Sequence, residues 1–388
     1  MELAHPSGVA GLYVEPRSVL RTDDGVAVIG HPAYLRGPAG ETAGVPAGMR
    51  AVGVQWESAT LAMRTVLVAD RFDEVGAVTG GMGSDGLWIA AVDTEDGDWS
   101  ASALTPARLL VGRSNGESPW ESLPVPPGAT VDRFEYTDVV AGAGGHGIGA
   151  ILRSKGTAGT AGLFLRGQDG WSYLGLSDGA PEKIAVTGAG GSEVVVGLAE
   201  HWRGENTVEV LRVSDGRVAQ HVASIPRPPG GIYTLRMAAS DDGVILSWVQ
   251  EGSSPAAGLE LHRRVLGPGG GSDAGWSVVR LPTLNVGYLV DGVVTRGTML
   301  WFVGIPSDGD RVGVRVLGER LDGSALVDFG DLPASFKGPF RAVLEEGATV
   351  LLVGPATPRG PSLMPVELSV VRVRLAGAGC GQWVPGLE

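Results

Sequence analysis

The stretch "TDDGVAVIG", Thr22 to Gly30, returns as "SDDGVILSW", Ser240 to Trp248, 218 residues further along the chain. Each copy is a polar turn ending in Asp-Gly, followed at once by an apolar run. Asp-Gly between apolar runs marks a β-hairpin, because glycine takes the positive φ such a turn needs at little steric cost. The two copies belong to a longer series. Short apolar runs, each entered through a Gly, Asp, Ser or Thr turn, begin at Val26, Leu87, Ile148, Val194, Val244, Met299 and Val350, at intervals of 46 to 61 residues.

A second series is independent of the first. Strand-like segments close at Leu123, Leu176, Ile225, Leu281, Leu332 and Leu387, at intervals of 49 to 56 residues. Trp120, Trp171, Trp276 and Trp383 open such segments, separated by one period or by two. Residues 232–281 display one whole unit: "IYTLRMAA", the turn "SDDG", "VILSWVQ", a loop, "LELHRRV", a Gly-rich turn and "GWSVVRLP". Fixed-period self-similarity indicates a repeat architecture, and four antiparallel strands per unit of about 50 residues is the pattern of a propeller blade.

The expected fold is therefore all-β, a β-propeller of four-stranded antiparallel blades in a single domain spanning 1–388. Seven blades fit the count, near 11–70, 71–129, 130–179, 180–227, 228–283, 284–334 and 335–388. The ring is expected to close by contact between the terminal blades, since an exchanged strand would have to come from residues 1–10, and "MELAHPSGVA" is a poor strand.

Composition agrees. Gly 63 and Pro 25 are too many for a helical protein, while 43% apolar residues and a mean hydropathy of +0.14 argue against disorder. A net charge of −13 argues against nucleic acid as a partner, since phosphate recognition needs a basic footprint. The apolar runs fall far short of the roughly 18 residues that span a bilayer, so no transmembrane segment is expected. Residues 1–12 have neither a basic start nor a long apolar block, and the chain as it stands reads as soluble and cytoplasmic. A secreted protein whose leader had been removed would read the same. The lone Cys380 excludes an intrachain disulfide and a cysteine metal site, and reads as a small buried apolar residue.

Tyr13 to Gly30, "YVEPRSVLRTDDGVAVIG", resembles the opening of the sialidase-like, Asp-box (BNR-type) propellers, in which an aromatic-Arg-Ile-Pro motif precedes an apolar strand, a D-G turn and another strand. Tyr13, Pro16, Val19, Leu20, Asp24 and Gly25 carry the likeness, and the rest of the chain shares only the repeat. Val14 stands where active members of that family keep the first arginine of a carboxylate-binding triad. Valine cannot supply a bidentate pair, so the resemblance does not imply sialidase activity. The Asp box is eroded at Ser272–Trp276 and Gln168–Trp171, and the family's six blades keep six open beside seven. Tyr288 opens a late blade roughly where the family carries a nucleophilic tyrosine, although a tyrosine or phenylalanine at a blade start, as with Tyr233 and Phe340, is more simply a packing residue.

In a propeller the loops leaving the second strands gather on one face around the channel, which is the default ligand site. Counting five to seven residues past each second-strand start gives the expected rim. Its acid–base candidates are His31, Asp93, Glu200, His201 and Glu251, and its ligand-binding candidates are Arg153, Lys155 and Gln250, with Trp202 following directly after His201; Tyr288 is a further catalytic candidate that only the family resemblance supplies. Polar strand ends are also what solvation alone demands. No His pair falls at metal-ligand spacing, and the Asp23–Asp24 and Asp241–Asp242 turns lack the six to eight oxygens calcium takes, so no metal is expected. The Gly-rich stretches lack G-K-[ST] and no G-x-S-x-G occurs, so no cofactor is expected. These observations point to a propeller that binds a partner protein or a glycan on its loop face. The alternative is an enzyme, a glycan-active hydrolase or lyase or a small-metabolite cyclase, using acid–base residues in the central funnel.

Overall fold

The structure is a computed structural model that describes strands β1–β29, given below, together with residues 120, 123–126, 169, 215–216, 227–231, 252, 258, 267, 307, 311 and 340. Its strands form two compact units, Met1–Arg71 with Leu284–Glu388, and Phe72–Thr283. All pairing is antiparallel, and the described strands form seven sheets, taken here in chain order. After β1 (Leu3–Ala4), sheet one holds β2 (Val14–Thr22), β3 (Gly25–Pro32), β4 (Val52–Glu57) and β5 (Met63–Val68). Sheet two holds β6 (Val75–Gly83), β7 (Gly86–Thr94), β8 (Ala107–Arg113) and β9 (Glu121–Ser122), and sheet three β10 (Phe134–Ala141), β11 (Gly147–Ser154), β12 (Thr160–Gly167) and β13 (Gly170–Ser177). Sheet four is β14 (Ala180–Gly190), β15 (Glu193–Trp202), β16 (Glu205–Ser214) and β17 (Arg217–Pro226), and sheet five β18 (Ile232–Ser240), β19 (Gly243–Glu251), β20 (Leu259–Leu266) and β21 (Trp276–Arg280). Sheet six is β22 (Val290–Thr295), β23 (Thr298–Pro306), β24 (Val312–Arg320) and β25 (Val327–Phe336), and sheet seven β26 (Arg341–Glu346), β27 (Thr349–Pro355), β28 (Leu368–Ala376) and β29 (Val384–Gly386). Each sheet is a meander of four consecutive strands, and this repeated unit is of the β-propeller type.

The central strands read as unbroken apolar runs because both their faces are covered. In β15, Val194, Val196 and Leu198 pack on Ile151, Ala161 and Leu163 of sheet three. The alternate residues Val195 and Ala199 pack with Leu235, Leu246 and Trp248 of sheet five. Strand alternation thus sends one residue set to each neighbour, and the core of the Phe72–Thr283 unit lies in the seams between stacked sheets. The other unit repeats the device where Phe302, Val314 and Phe336 of sheet six meet Leu352 and Val371 of sheet seven and Phe340 just ahead of β26. The repeating tryptophans serve the same seams, since Trp171 on β13 meets Trp88 of sheet two edge-on at 6.2 Å.

The hairpin chemistry lies where the D-G pairs stand. Thr22 pairs with Gly25 and Ser240 with Gly243, so the two opening stretches each lead from a first strand into a second. Between β16 and β17, Asp215 and Gly216 take φ of 52° and 71°, the doubly left-handed turn that suits two-residue hairpins. At the chain's start Leu3 and Ala4 pair with Val371 and Val370, and β29 takes the adjoining stretch of the same β28 edge. The "poor strand" of residues 1–10 therefore does supply a strand to the last sheet. Two residues suffice, because the ladder bonds involve only backbone groups.

Candidate functional site at the rim of sheets four and five

The first strands of sheets one to five share a feature that the repeat pattern does not announce. Near the start of each, the register shifts, so that Arg17, Thr137, Glu182 and Tyr233 fall between successive register pairs in β2, β10, β14 and β18; in β6 the shift spans Gly76–Ala77. A β-bulge of this kind re-aims the side chain of its extra residue. It lies at the end of the sheet where the first strand begins and the second ends, which is the end expected to carry a ligand site.

In sheet four the bulge turns Glu182 toward sheet five. Its Oε1 accepts a 3.0 Å bond from Arg227 Nη2, and its Oε2 a 3.3 Å bond from the backbone N–H of Ile232. Arg227 belongs to the proline-flanked linker "IPRPPGG" between the two sheets. Its side chain has 0% exposure, its Nη1 donates to Gly230 O at 2.8 Å, and its backbone N–H donates to Asn206 O at 2.9 Å. One ion pair thus binds the start of one sheet to the entry of the next. Gly230 follows at φ +144°, and a Cβ there would lie 3.1 Å from Glu251 O, so the linker needs glycine at this position.

In sheet five the bulge residue is Tyr233, whose hydroxyl donates to Glu251 Oε1 at 2.7 Å. Tyr233 is 39% exposed and Glu251 is exposed. The blade-start aromatics therefore divide. Phe340 is buried, as a packing residue would be, whereas Tyr233 faces solvent.

Behind this pair the rim is braced. The fully buried Gln250 accepts from Trp248 Nε1 at 2.9 Å and donates to Glu251 O at 3.4 Å. Trp248 stacks on His262 at 5.1 Å and 8°, and His262 Nε2 lies 3.2 Å from Glu260 Oε2. Burial holds the imidazole below its ordinary value of 6.5 despite the opposing Glu260 bond, which favours the neutral ring at physiological pH.

The expected rim residues occupy regular places. Asp93, Glu200 and Gln250 share one register position, opposite Val75, Pro181 and Ile232, the residues just before each bulge. His31, Arg153 and His201 stand one residue further out, opposite Glu15, Glu135 and Ala180, and Trp202 ends β15 opposite Glu205. Lys155 and Tyr288 lie outside the described residues. Register does not become convergence, however. Glu200 turns toward sheet three, where Ser177 of β13 hydrogen-bonds it, whereas Gln250 shares the seam of sheets four and five with Trp248. Glu182, Arg227 and Tyr233, which build the described rim, lie outside the set that second-strand counting supplies. A break in strand alternation, two polar residues in "PEKI", is the signal that marks the bulge at Glu182.

Glu200 is 5% exposed, and its Oε1 has no hydrogen-bond partner among the described residues. Burial raises its carboxyl above the ordinary 4.5, the Ser177 bond opposes this, and the charge of Glu209 adds to the rise. The raised group makes the native state bind more protons than the unfolded chain once pH exceeds 4.5, so stability falls as pH rises from there until the native carboxyl also ionises. Glu200→Gln removes that loss. Thermal melts of both proteins should coincide near about pH 4 and separate toward about pH 8, with the variant higher by a few degrees. A constant gap across the range would show that the difference is packing and not titration.

Among the described residues no three His, Cys, Asp or Glu side chains group as metal ligands. Nor, among these residues, is any helix long and apolar enough to cross a membrane.

No protein-family model matches the chain, and no curated protein matches it. Solved structures do. A protein of unknown function from Dyadobacter fermentans aligns over 96% of this chain and 98% of its own at 12% identity and a TM-score of 0.56. The polysaccharide lyase Uly1 aligns over 92% and 90% at 8% identity and a TM-score of 0.53. A putative 6-phosphogluconolactonase from Bacteroides uniformis aligns over 89% and 95% at 12% identity and a TM-score of 0.51. The likeness extends over nearly the whole length of each chain, and at such identities it is a likeness of fold.

Proposed function

We propose that the chain is a seven-bladed propeller that acts as a binding scaffold, recognising a partner protein or a glycan at the loop end of sheets four and five. The observation that carries this reading is the contrast within the described rim. Gln250 and Glu200 are buried, and Glu182 is tied to Arg227. The Tyr233–Glu251 pair, in contrast, is exposed and rests on that braced layer. Recognition needs such a fixed, solvent-facing group, and rigid aromatic anchors are what interfaces use most. The likeness of Tyr13–Pro16 to sialidase-like propellers sits with this reading, since Val14 replaces the arginine on which sialidase chemistry depends.

One observation favours an enzyme instead: a hydroxyl and a carboxylate within 2.7 Å are a nucleophile and a base in reach of each other. A single experiment separates the two. The protein and its Glu251→Ala variant are applied to arrays of glycans and of peptides, and both are incubated with a polysaccharide panel monitored for new reducing ends and unsaturated uronates. Binding that Glu251→Ala abolishes, without product, is the expected result. Product release that Tyr233→Phe abolishes would replace the scaffold with a catalyst.

A further inference from the structure

The outer edge of a sheet offers a row of backbone N–H and C=O groups to any strand that reaches it, and folded proteins blunt such edges with shortness, charge, proline or bulges. Among the described strands, six of the seven sheets do so. In sheet two β9 has two residues, and in sheet seven β28 is covered by β1 and β29. β5 and β21 are short, six and five residues, and carry Arg64 and Arg280. β17 and β25 are ten residues long, but the pairing of each is broken by two register shifts. They also hold Arg217 and Pro226, and Asp328, Asp331 and Pro333, respectively. The outer strand of sheet three differs. β13 runs for eight residues as "GWSYLGLS", without a charge or a proline, and its single register shift lies at its far end, between Gly175 and Ser177. Among the described strands it pairs only with β12. No residue of it is buried, and Ser172 and Gly175 are exposed.

We propose that β13 is the contact through which two copies of this chain associate, the edge of one adding antiparallel to the edge of the other about a two-fold axis. This goes beyond the recognition reading above and does not depend on it. The composition of the strand selects the occupant. A two-fold pairing sets a strand against itself, so it brings each charge toward its own copy, and like charges directly opposite destabilise a ladder. β17 would bring arginine toward arginine and β25 aspartate toward aspartate, whereas β13 has no charge to oppose in any register. A charged segment of another protein would find no opposite charge on β13 to pair with. Backbone groups make the ladder, and the exposed Ser172 and Gly175 are small enough to let two strands approach. The net charge of −13 resists association of two copies at long range, so salt should tighten the pair, where it would loosen a complex held by opposite charges.

The test is sedimentation velocity of the full chain over about 1–200 μM, at about 50 mM and about 500 mM salt. A reversible monomer–dimer equilibrium that tightens with salt is expected. Ser172→Lys and Gly175→Lys each place a charge on the exposed edge, and each should weaken the dimer about tenfold or more. The second position has space for a side chain, since a Cβ on Gly175 would meet nothing within 4 Å. Ala219→Lys, also exposed but on β17, should leave the dimer unchanged. Hydrogen exchange of the unsubstituted chain locates the contact, because amides of residues 170–177 should gain protection as concentration rises and those of 217–226 should not. A monomer throughout the range overturns the proposal. So does a dimer that salt dissociates, one that survives both β13 lysines, or one that Ala219→Lys weakens as much.

Discussion

Trp248→Ala should lower stability by about 3–5 kcal/mol, which is the range for emptying a fully buried aromatic site. Trp248 has 0% exposure and packs where Val208, Val210 and Ile225 of sheet four meet Leu235 and Leu246 of sheet five. The substitution opens a cavity in that seam and removes the ring on which His262 stacks. It also takes away the N–H that Gln250 Oε1 accepts, leaving a buried oxygen bare, which by itself costs about 1–3 kcal/mol. Trp248→Phe separates the two effects by keeping an apolar ring and losing only the donor, and it should recover more than half of the loss. Urea denaturation gives the totals. Hydrogen exchange locates them, with faster exchange expected in β18–β20 and no change in β26–β28. A loss below about 1 kcal/mol would show that the seam relaxes around the gap.

What the sequence made legible follows from the same seams. A strand covered on both faces must be apolar throughout, so "EVVVGLA" and "VILSW" stand out of a Gly-rich chain. A two-residue hairpin needs positive φ, so Asp-Gly marks the turn at Asp215–Gly216. Both signals are local in the chain. The rim is not. Two adjacent polar residues in "PEKI" mark the bulge at Glu182, but nothing in them says that it turns a carboxylate from its own sheet to the next. Nothing in "IPRPPGG" states that its arginine is fully buried. That follows from the contacts the linker makes with both sheets, Asn206 and Glu182 of sheet four and, through Gly231, Glu251 of sheet five. Counting along second strands reached Glu200, Gln250 and Glu251, because register is periodic. It missed Tyr233, whose exposure comes from the break in that register.

The Glu182–Arg227 pair should be strongly asymmetric toward substitution. Arg227 has 0% side-chain exposure whereas Glu182 retains 34%. Truncating the acid, as in Glu182→Ala, leaves a guanidinium inside the linker with only Gly230 O as a described acceptor and no opposing charge. Breaking a buried pair from one side costs about 3–5 kcal/mol, and partial exposure of Glu182 places the expected loss near the lower end, about 3 kcal/mol. Arg227→Met works from the other side. Methionine refills most of the volume with flexible apolar atoms, and the carboxylate left behind keeps the Ile232 N–H and reaches water. That variant should lose only about 1–2 kcal/mol, and the double substitution Glu182→Gln with Arg227→Met should be no worse than Arg227→Met alone. The ordering checks the assignment of roles. If Glu182→Ala proves the milder change, the guanidinium is being satisfied by water or by another acid, and the pair is not what fastens sheet four to sheet five. If the ordering holds, the same variants report on the rim, because Gly230 lies against Glu251. Loosening the linker should then weaken whatever Tyr233 and Glu251 bind, in proportion to the stability lost.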